Sequence, residues 1–142
     1  KDVVQSFTKR IKSQDYVNIH PQLLLIASQS AQSCRNHSLA IEILSSLHYK
    51  YPEKNETSVM LSSLELESGR LSAAMNIINI TIKQSGRSPS LLTNLAICES
   101  EMGNLQTADT IHKEIISKNP EKFLAYFNYG KYLATVGETS LA

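Results

Sequence analysis

Two short stretches of the sequence share one spacing: ESGRLSAAM at Glu67–Met75 and EMGNLQTAD at Glu101–Asp109. Each has a Glu, a Gly two residues later, a Leu two further on and an Ala three beyond that. Gly adopts the left-handed conformation at low cost, so it commonly ends a helix and allows a second one to start. The two stretches therefore predict one helix–turn–helix unit that occurs at least twice.

The interval between the two stretches, from 67 to 101, recurs along the chain. It separates Gly69, Gly103 and Gly137, and also Ala40, Ala74, Ala108 and Ala142. Self-similarity at a fixed period is typical of repeat architectures. We place four repeats at residues 21–54, 55–88, 89–122 and 123–142, the last one truncated, with residues 1–20 before them as a capping helix or a divergent half-repeat.

The third repeat has the clearest helix signals. Ser88-Pro89 predicts an N-cap followed by Pro at the first helical position, and Gly103 predicts the end of that helix. A second helix is predicted from about Leu105 to Lys118. Asn119-Pro120 has the same pattern as Ser88-Pro89 and predicts the start of the next helix there.

In the fourth repeat, Gly137 predicts a turn by the same rule. Only Thr139–Ala142 of the second helix would then be present. That arrangement predicts that Tyr126, Tyr129 and Leu133 lack a packing partner, and exposed apolar surface often marks an interface. Possible self-association through this open C-terminal end is one expectation.

The sequence resembles the tetratricopeptide repeat (TPR) family over about residues 21–142. The matching residues of the third and fourth repeats are Leu92, Leu95, Ala96, Gly103, Ala108, Ile115, Pro120, Tyr126, Tyr129, Gly130, Leu133, Gly137 and Ala142. Departures are Arg35 for the turn Gly, Ser58, Glu65 and Glu99 in slots that usually hold an aromatic residue, and Gly86 for the closing Pro. The resemblance implies an all-α, right-handed α-solenoid of about 3.5 repeats plus an N-terminal helix.

Composition excludes several classes of partner. The 142 residues include 14 basic and 13 acidic side chains, for a net charge of +1. Phosphate binding needs a clustered basic face, so we expect no nucleic-acid partner. No apolar run approaches the roughly 20 residues that cross a bilayer, so we expect no membrane segment.

The sequence shows no pattern typical of catalysis or of cofactor binding. None of the four histidines lies four residues from another, and the five glycines are isolated, so we predict no metal site and no phosphate loop. We therefore predict no enzyme activity and no cofactor. Cys34 and Cys98 are predicted to be reduced packing residues. The compartment stays open, with the cytoplasm favoured.

The resemblance implies a protein-interaction scaffold that binds a peptide or helix of a partner protein in a groove lined by the first helix of each repeat. The candidate groove residues are Gln22, Gln29, Val59, Ser63, Thr93, Asn94, Ile97, Glu101, Phe127, Asn128 and Lys131. Their amides, hydroxyls and few apolar groups suit an extended peptide or an amphipathic helix.

TPR proteins bind peptides in two known ways, each of which requires particular residues at fixed positions, or slots, of the repeat. The slots of a cationic clamp for a terminal carboxylate hold no Lys or Arg, so that mode is not expected. Asn94 and Asn128 occupy equivalent slots and would form a two-rung asparagine ladder, or else only bond neighbouring helices.

An alternative of another class is that the segment serves as the recruitment or regulatory arm of a larger enzyme, for example a transferase. The sequence does not identify the partner, the organism or the pathway.

Overall fold

The computed structural model describes residues 20–52 and 54–141, with side-chain environments up to Gly137. These residues form seven α-helices and include no strand. The helices are α1 (Pro21–Ser33), α2 (His37–Lys50), α3 (Asn55–Glu67), α4 (Leu71–Ser85), α5 (Pro89–Glu101), α6 (Leu105–Lys118) and α7 (Phe123–Leu141). The predicted element at residues 1–20 lies outside the described residues except for His20.

The helices fall into two compact units. The N-terminal unit extends to Gly86 and the C-terminal unit starts at Arg87. In the N-terminal unit α1 packs on α2, α2 on α3, and α3 on α4; in the C-terminal unit α5 packs on α6, and α6 on α7. Consecutive helices therefore pair as the repeat predicts, and the all-α helical-repeat fold class is confirmed.

One turn geometry recurs between the two helices of three repeats. The left-handed residue is Gly69 (φ 77°), Gly103 (φ 85°) or Arg35 (φ 57°). In each case the next residue donates its N–H across the turn at 2.8 Å: Arg70 to Glu65, Asn104 to Glu99, and Asn36 to Ala31. The predicted turn at Gly103 is confirmed. Arg35 adopts the same conformation without being Gly, which costs on the order of 1 kcal/mol for an L-residue.

The carboxylates that depart from the family pattern also serve this turn. Glu65 is 6% exposed, and its Oε2 lies 2.7 Å from Nε of Arg70. Glu99 occupies the same slot one interval later and accepts a hydrogen bond from the side-chain amide of Asn104 at 2.8 Å. A Glu fits in a slot that usually holds an aromatic residue because its carboxylate meets the side chain just beyond the turn.

Small residues lie at the most buried positions of the helix pairs. Ala40, Ala74, Ala96 and Ala108 are each 0% exposed. A methyl group leaves room for the backbones of paired helices to approach, and a larger side chain would push them apart. Ala74 and Ala108 lie one interval apart, and both occupy fully buried positions of this kind.

Ser58 lies in a buried polar cluster of the N-terminal unit. Its hydroxyl accepts a hydrogen bond from Thr81 at 2.8 Å and lies 3.1 Å from Nδ1 of His48. Ser58 and Thr81 are both 0% exposed. Burial lowers the pKa of His48, which favours its neutral form. These three side chains fill a slot that usually holds one large ring.

Two predicted boundaries, the start and the end of the first helix of the last repeat, are wrong. Asn119 does not start a helix; it ends α6, and its side-chain amide donates to the carbonyl of Ile115 at 3.0 Å. The same carbonyl also accepts the backbone N–H of Asn119 at 3.0 Å, so Asn119 stabilises the end of α6 through both its backbone and its side chain. A turn follows, and α7 begins at Phe123. The helix then continues through Gly137 to Leu141, so the turn predicted at Gly137 is not formed.

Two side-chain predictions also need correction. Tyr129 does not lack a partner: it is half-buried, and its hydroxyl donates to Asp109 of α6 at 2.6 Å. Tyr126 and Leu133 are 47% and 48% exposed, as predicted. Cys98 is a buried packing residue, and burial is the main cause that raises its pKa to about 11. Cys34 is a free thiol but is exposed at the end of α1, so it does not pack.

Candidate peptide-binding groove

A groove runs across the C-terminal unit between α5 and α7. It consists of two adjoining hollows of about 190 Å³ and about 110 Å³, which share Thr93 and Asn128. Helices α5 and α7 supply most of the lining, and α6 contributes the buried side chains His112 and Ile115. We call these two hollows together the α5–α7 groove.

The α5 side of the groove follows from helical periodicity. Thr93, Ile97 and Glu101 recur every four residues and therefore lie on one face of the helix. The helix starts as the sequence predicts, because the hydroxyl of Ser88 accepts the N–H of Leu91 at 3.4 Å and Pro89 follows it. Ile97 is 41% exposed, although it lies one turn from buried residues. This side of the groove thus offers a hydroxyl, an apolar side chain and a carboxylate in sequence.

The α7 side carries Asn128, Lys131 and Thr135, spaced by three and then four residues. Two tyrosines of α7 hold this helix against α6. The hydroxyl of Tyr132 donates to the carbonyl of Leu105 at 2.6 Å, in addition to the bond from Tyr129 to Asp109. These bonds fix the orientation of α7, and with it the direction of its groove side chains.

His112 of α6 forms part of the groove lining. It is 4% exposed, and its ring centroid lies 5.5 Å from that of Tyr129 and 4.9 Å from that of Tyr132. Burial lowers its pKa, and the nearby Asp109 carboxylate opposes part of that shift. Burial therefore favours the neutral form of His112, whose ring packs against the two tyrosines of α7.

The structure brings five of the eleven predicted groove residues into the larger hollow. They are Thr93, Ile97, Glu101, Asn128 and Lys131. Asn94 does not line either hollow; it is only 7% exposed. Phe127 is 50% exposed and stacks on Phe123 with ring centroids 6.0 Å apart.

The other four predicted residues belong to the N-terminal unit. Gln22 lines a separate hollow of about 370 Å³, together with Leu25, Leu47 and residues at the start of α3. Gln29 is exposed on α1, and Val59 and Ser63 are half-buried on α3. These positions do not join into one lined hollow, so the candidate site is centred on the C-terminal unit.

Sequence reasoning missed several residues of the α5–α7 groove, among them His112, Tyr132 and Lys122. His112 belongs to the second helix of its repeat, whereas the prediction drew only on first helices. Tyr132 has a buried ring and reaches the hollow from the packed side of α7. Lys122 lies in the turn before α7. The sequence predicted that this helix starts at Asn119-Pro120, so no turn was expected at Lys122.

Among residues 20–52 and 54–141, no group of three or more His, Cys, Asp or Glu side chains is placed to hold a metal ion. Within the same part of the chain, every helix is too short or too polar to cross a bilayer.

Comparison with known proteins places the fold. No protein-family model matches the sequence, and no curated protein matches it. A tetratricopeptide repeat protein from Parabacteroides merdae has a similar structure, with a TM-score of 0.81 at 16% identity; the match covers 98% of this chain and 53% of that one. This chain thus spans about half the length of the Parabacteroides protein.

Two other solved structures are similar. The first TPR of Spaghetti (RPAP3), bound to the HSP90 peptide SRMEEVD, matches with a TM-score of 0.70 at 11% identity, over 82% of this chain and 93% of that one. MamA matches with a TM-score of 0.73 at 19% identity, over 94% of this chain and 77% of that one. At these identities the matches establish the architecture: the chain has the tetratricopeptide-repeat fold, an all-α helical-repeat solenoid.

Proposed function

We propose that this chain is a non-catalytic interaction scaffold that binds a short peptide segment of another protein in the α5–α7 groove. The observation that carries the proposal is the 41% exposure of Ile97 within a preformed hollow whose lining also includes the polar side chains of Thr93 and Asn128 and the charges of Glu101 and Lys131. Binding sites typically combine an apolar surface with a few polar groups that fix orientation. The same groove would serve a recruitment segment of a larger enzyme.

The dimensions of the groove suit an extended segment of a few residues. Its lining on α5 runs from Pro89 to Glu101, twelve steps of about 1.5 Å, or about 18 Å. An extended chain rises about 3.3 Å per residue, so about five residues would span it.

The polar groups of the groove can bond to a peptide backbone. Asn128 lines both hollows, and its side-chain amide makes no hydrogen bond to any described residue. An amide side chain has both a donor and an acceptor, so it can bind both groups of one peptide unit. Thr93 donates its hydroxyl hydrogen to the carbonyl of Pro89 at 2.8 Å, which leaves its oxygen free to accept.

The proposal does not require a free carboxyl terminus on the partner. The RPAP3 repeat was solved with a peptide, but the slots that would hold a cationic clamp in this chain contain no Lys or Arg. We therefore expect an internal segment to bind as well as a terminal one. A bound peptide should keep its affinity when its C-terminus is amidated.

Selection of peptides from a random display library on the full chain tests the proposal. The affinity of an enriched peptide would be measured by titration calorimetry for the wild type and for Ile97→Ser and Asn128→Ala. Matched controls are Asn79→Ala, an exposed Asn on α4, and Ile80→Ser, a 41% exposed Ile on the same helix. Circular dichroism would show that each variant keeps its helical content.

We expect each groove variant to weaken binding by roughly fivefold or more, because each loses an interfacial contact worth about 1 kcal/mol, while the α4 controls bind as the wild type does. The absence of enriched peptides, or equal affinities of the groove variants and the controls, would overturn the proposal.

A further inference from the structure

The larger hollow of the α5–α7 groove holds two opposite charges that do not pair with each other. Glu101 ends α5, and Lys131 lies on α7. The ion pairs described in the C-terminal unit are Arg87–Glu114, Lys113–Asp109 and Lys118–Glu114. Neither Glu101 nor Lys131 has an ionic partner among the described residues; the ammonium of Lys131 lies 5.5 Å from the ring centroid of Phe127. Both charges are therefore available to a ligand.

The repeat register explains why the two charges stay apart. Lys131 occupies the slot of Ile97 in the next repeat, whereas Glu101 lies one helical turn further along α5. Four residues of helix rise about 6 Å, so the carboxylate and the ammonium are staggered along the groove. Lys122 lines the smaller hollow beyond Lys131. Along the groove the charge thus changes from positive at the Lys122 end to negative at Glu101.

A ligand that covers the hollow must compensate these charges. In the free protein water solvates both side chains, since both are exposed. A peptide that removes this water without supplying opposite charges leaves two unpaired ions in a less polar environment, which is costly. Complementary charges avoid that cost and exclude partners that carry like charges at the same points.

From this arrangement we infer that the partner is a mixed-charge peptide, with an acidic side chain opposite Lys131 and a basic side chain opposite Glu101; the inference rests on the proposed function. An extended chain covers about 6 Å in two residues, and the side chains of residues i and i+2 lie on one face. The recognised segment therefore has an acidic and a basic residue separated by one other residue. The intervening side chain faces away from the groove.

Charge reversal tests this inference. The probes are a peptide enriched on the wild type and its swapped form, in which the acidic and basic residues exchange places. Both would be titrated into the wild type, Glu101→Lys, Lys131→Glu and the double variant. Glu67→Lys is the matched control, because Glu67 occupies the slot of Glu101 one repeat earlier, in the N-terminal unit. Lys83→Glu on α4 is the control for Lys131.

We expect each single reversal to weaken binding of the original peptide by roughly three- to tenfold, as for partly exposed ion pairs. The double variant should prefer the swapped peptide, and the two controls should bind as the wild type does. The inference is overturned if enriched peptides lack the charge pair, or if the double variant keeps the wild-type preference, while Ile97→Ser still weakens binding. Loss of the Ile97 and Asn128 effects would instead contradict the proposed function itself.

Discussion

Helices α5 and α7 occupy equivalent positions one interval apart, yet residues in the same slot of the two helices differ in burial. Leu92 of α5 is 1% exposed, whereas Tyr126 in the same slot of α7 is 47% exposed. Ala96 is 0% exposed, whereas Gly130 in its slot is exposed. Gly103 forms a left-handed turn after α5, whereas α7 continues through Gly137.

The difference shows what a repeat sequence alone does not determine. Both helices have a residue pattern that can pack against a following helix. Within the described residues α5 packs along α6, the helix that follows it, whereas α7 packs on α6, the helix that precedes it. Burial, and the conformation of a Gly, thus depend on the neighbour that is present as well as on the slot.

The largest expected difference in stability is between substitutions at Leu92 and at Tyr126, which occupy the same slot of α5 and α7. Leu92→Ala should lower the free energy of unfolding by roughly 2–5 kcal/mol, because it leaves a cavity in a packed core. Tyr126→Ala should cost about 1 kcal/mol or less, since it removes a half-exposed ring and one exposed hydrogen bond to Pro120. Urea denaturation followed by circular dichroism measures both; equal losses would contradict the comparison.

The next effect concerns the close contact of α5 and α6. Ala108→Leu should cost roughly 1–3 kcal/mol, because Ala108 is 0% exposed and a larger side chain overpacks the contact. Thr107→Leu is the matched control on the exposed face of α6, with an expected change within about 0.5 kcal/mol. A variant at Ala108 as stable as the control would show that the small residue is not needed there.

The two glycines should respond with opposite signs. Gly103→Ala should lower stability by roughly 1–2 kcal/mol, because φ is 85° and a side chain is strained there. Gly137→Ala should raise stability by roughly 0.5–1 kcal/mol, because Gly weakens a helix interior and a methyl group meets no atom within 4 Å. Thermal melts of both variants would reveal the signs; a loss at both positions would indicate a turn at Gly137.

The smallest expected effect is a pH dependence of stability that arises from His112, at the contact between α6 and α7. Burial lowers the pKa of His112 below its ordinary value of 6.5, so the unfolded chain binds a proton at higher pH than the folded chain does. The stability that depends on neutral His112 is therefore present above pH 6.5 and is lost as pH falls toward the lowered pKa. His112→Phe keeps a ring between the tyrosines and should reduce the pH dependence of unfolding in this range. An unchanged dependence would mean that His112 is not the titrating group.

Local signals in the sequence predicted much of the fold. Ser88-Pro89, Gly103 and the helical spacing between them define α5 and the start of α6, because each signal acts through bonds within a few residues. The helix start predicted at Asn119-Pro120 was wrong for a physical reason. An Asn side chain can accept a backbone N–H at the start of a helix or donate to a backbone carbonyl at its end, and here it donates to the carbonyl of Ile115. Arg35 shows that turn hydrogen bonds can impose a left-handed conformation on a residue other than Gly.

The candidate groove was predictable in part. Helical spacing placed Thr93, Ile97 and Glu101 on one face, and the repeat interval placed Lys131 across from them. The burial of Asn94 was not predictable, because it depends on how closely neighbouring helices pack and not on its slot. His112 lines the groove because α6 packs against α7, and the repeat spacing does not specify that contact.

Chemical-shift mapping by NMR of an enriched peptide on the isotope-labelled chain tests the central claim most directly, because it compares the groove with the open outer face of α7. Peptide binding at the groove predicts that the largest changes lie at Thr93, Ile97, Glu101, Asn128 and Lys131. Changes confined to the outer face of α7, around Tyr126 and Leu133, or to the N-terminal unit would contradict it.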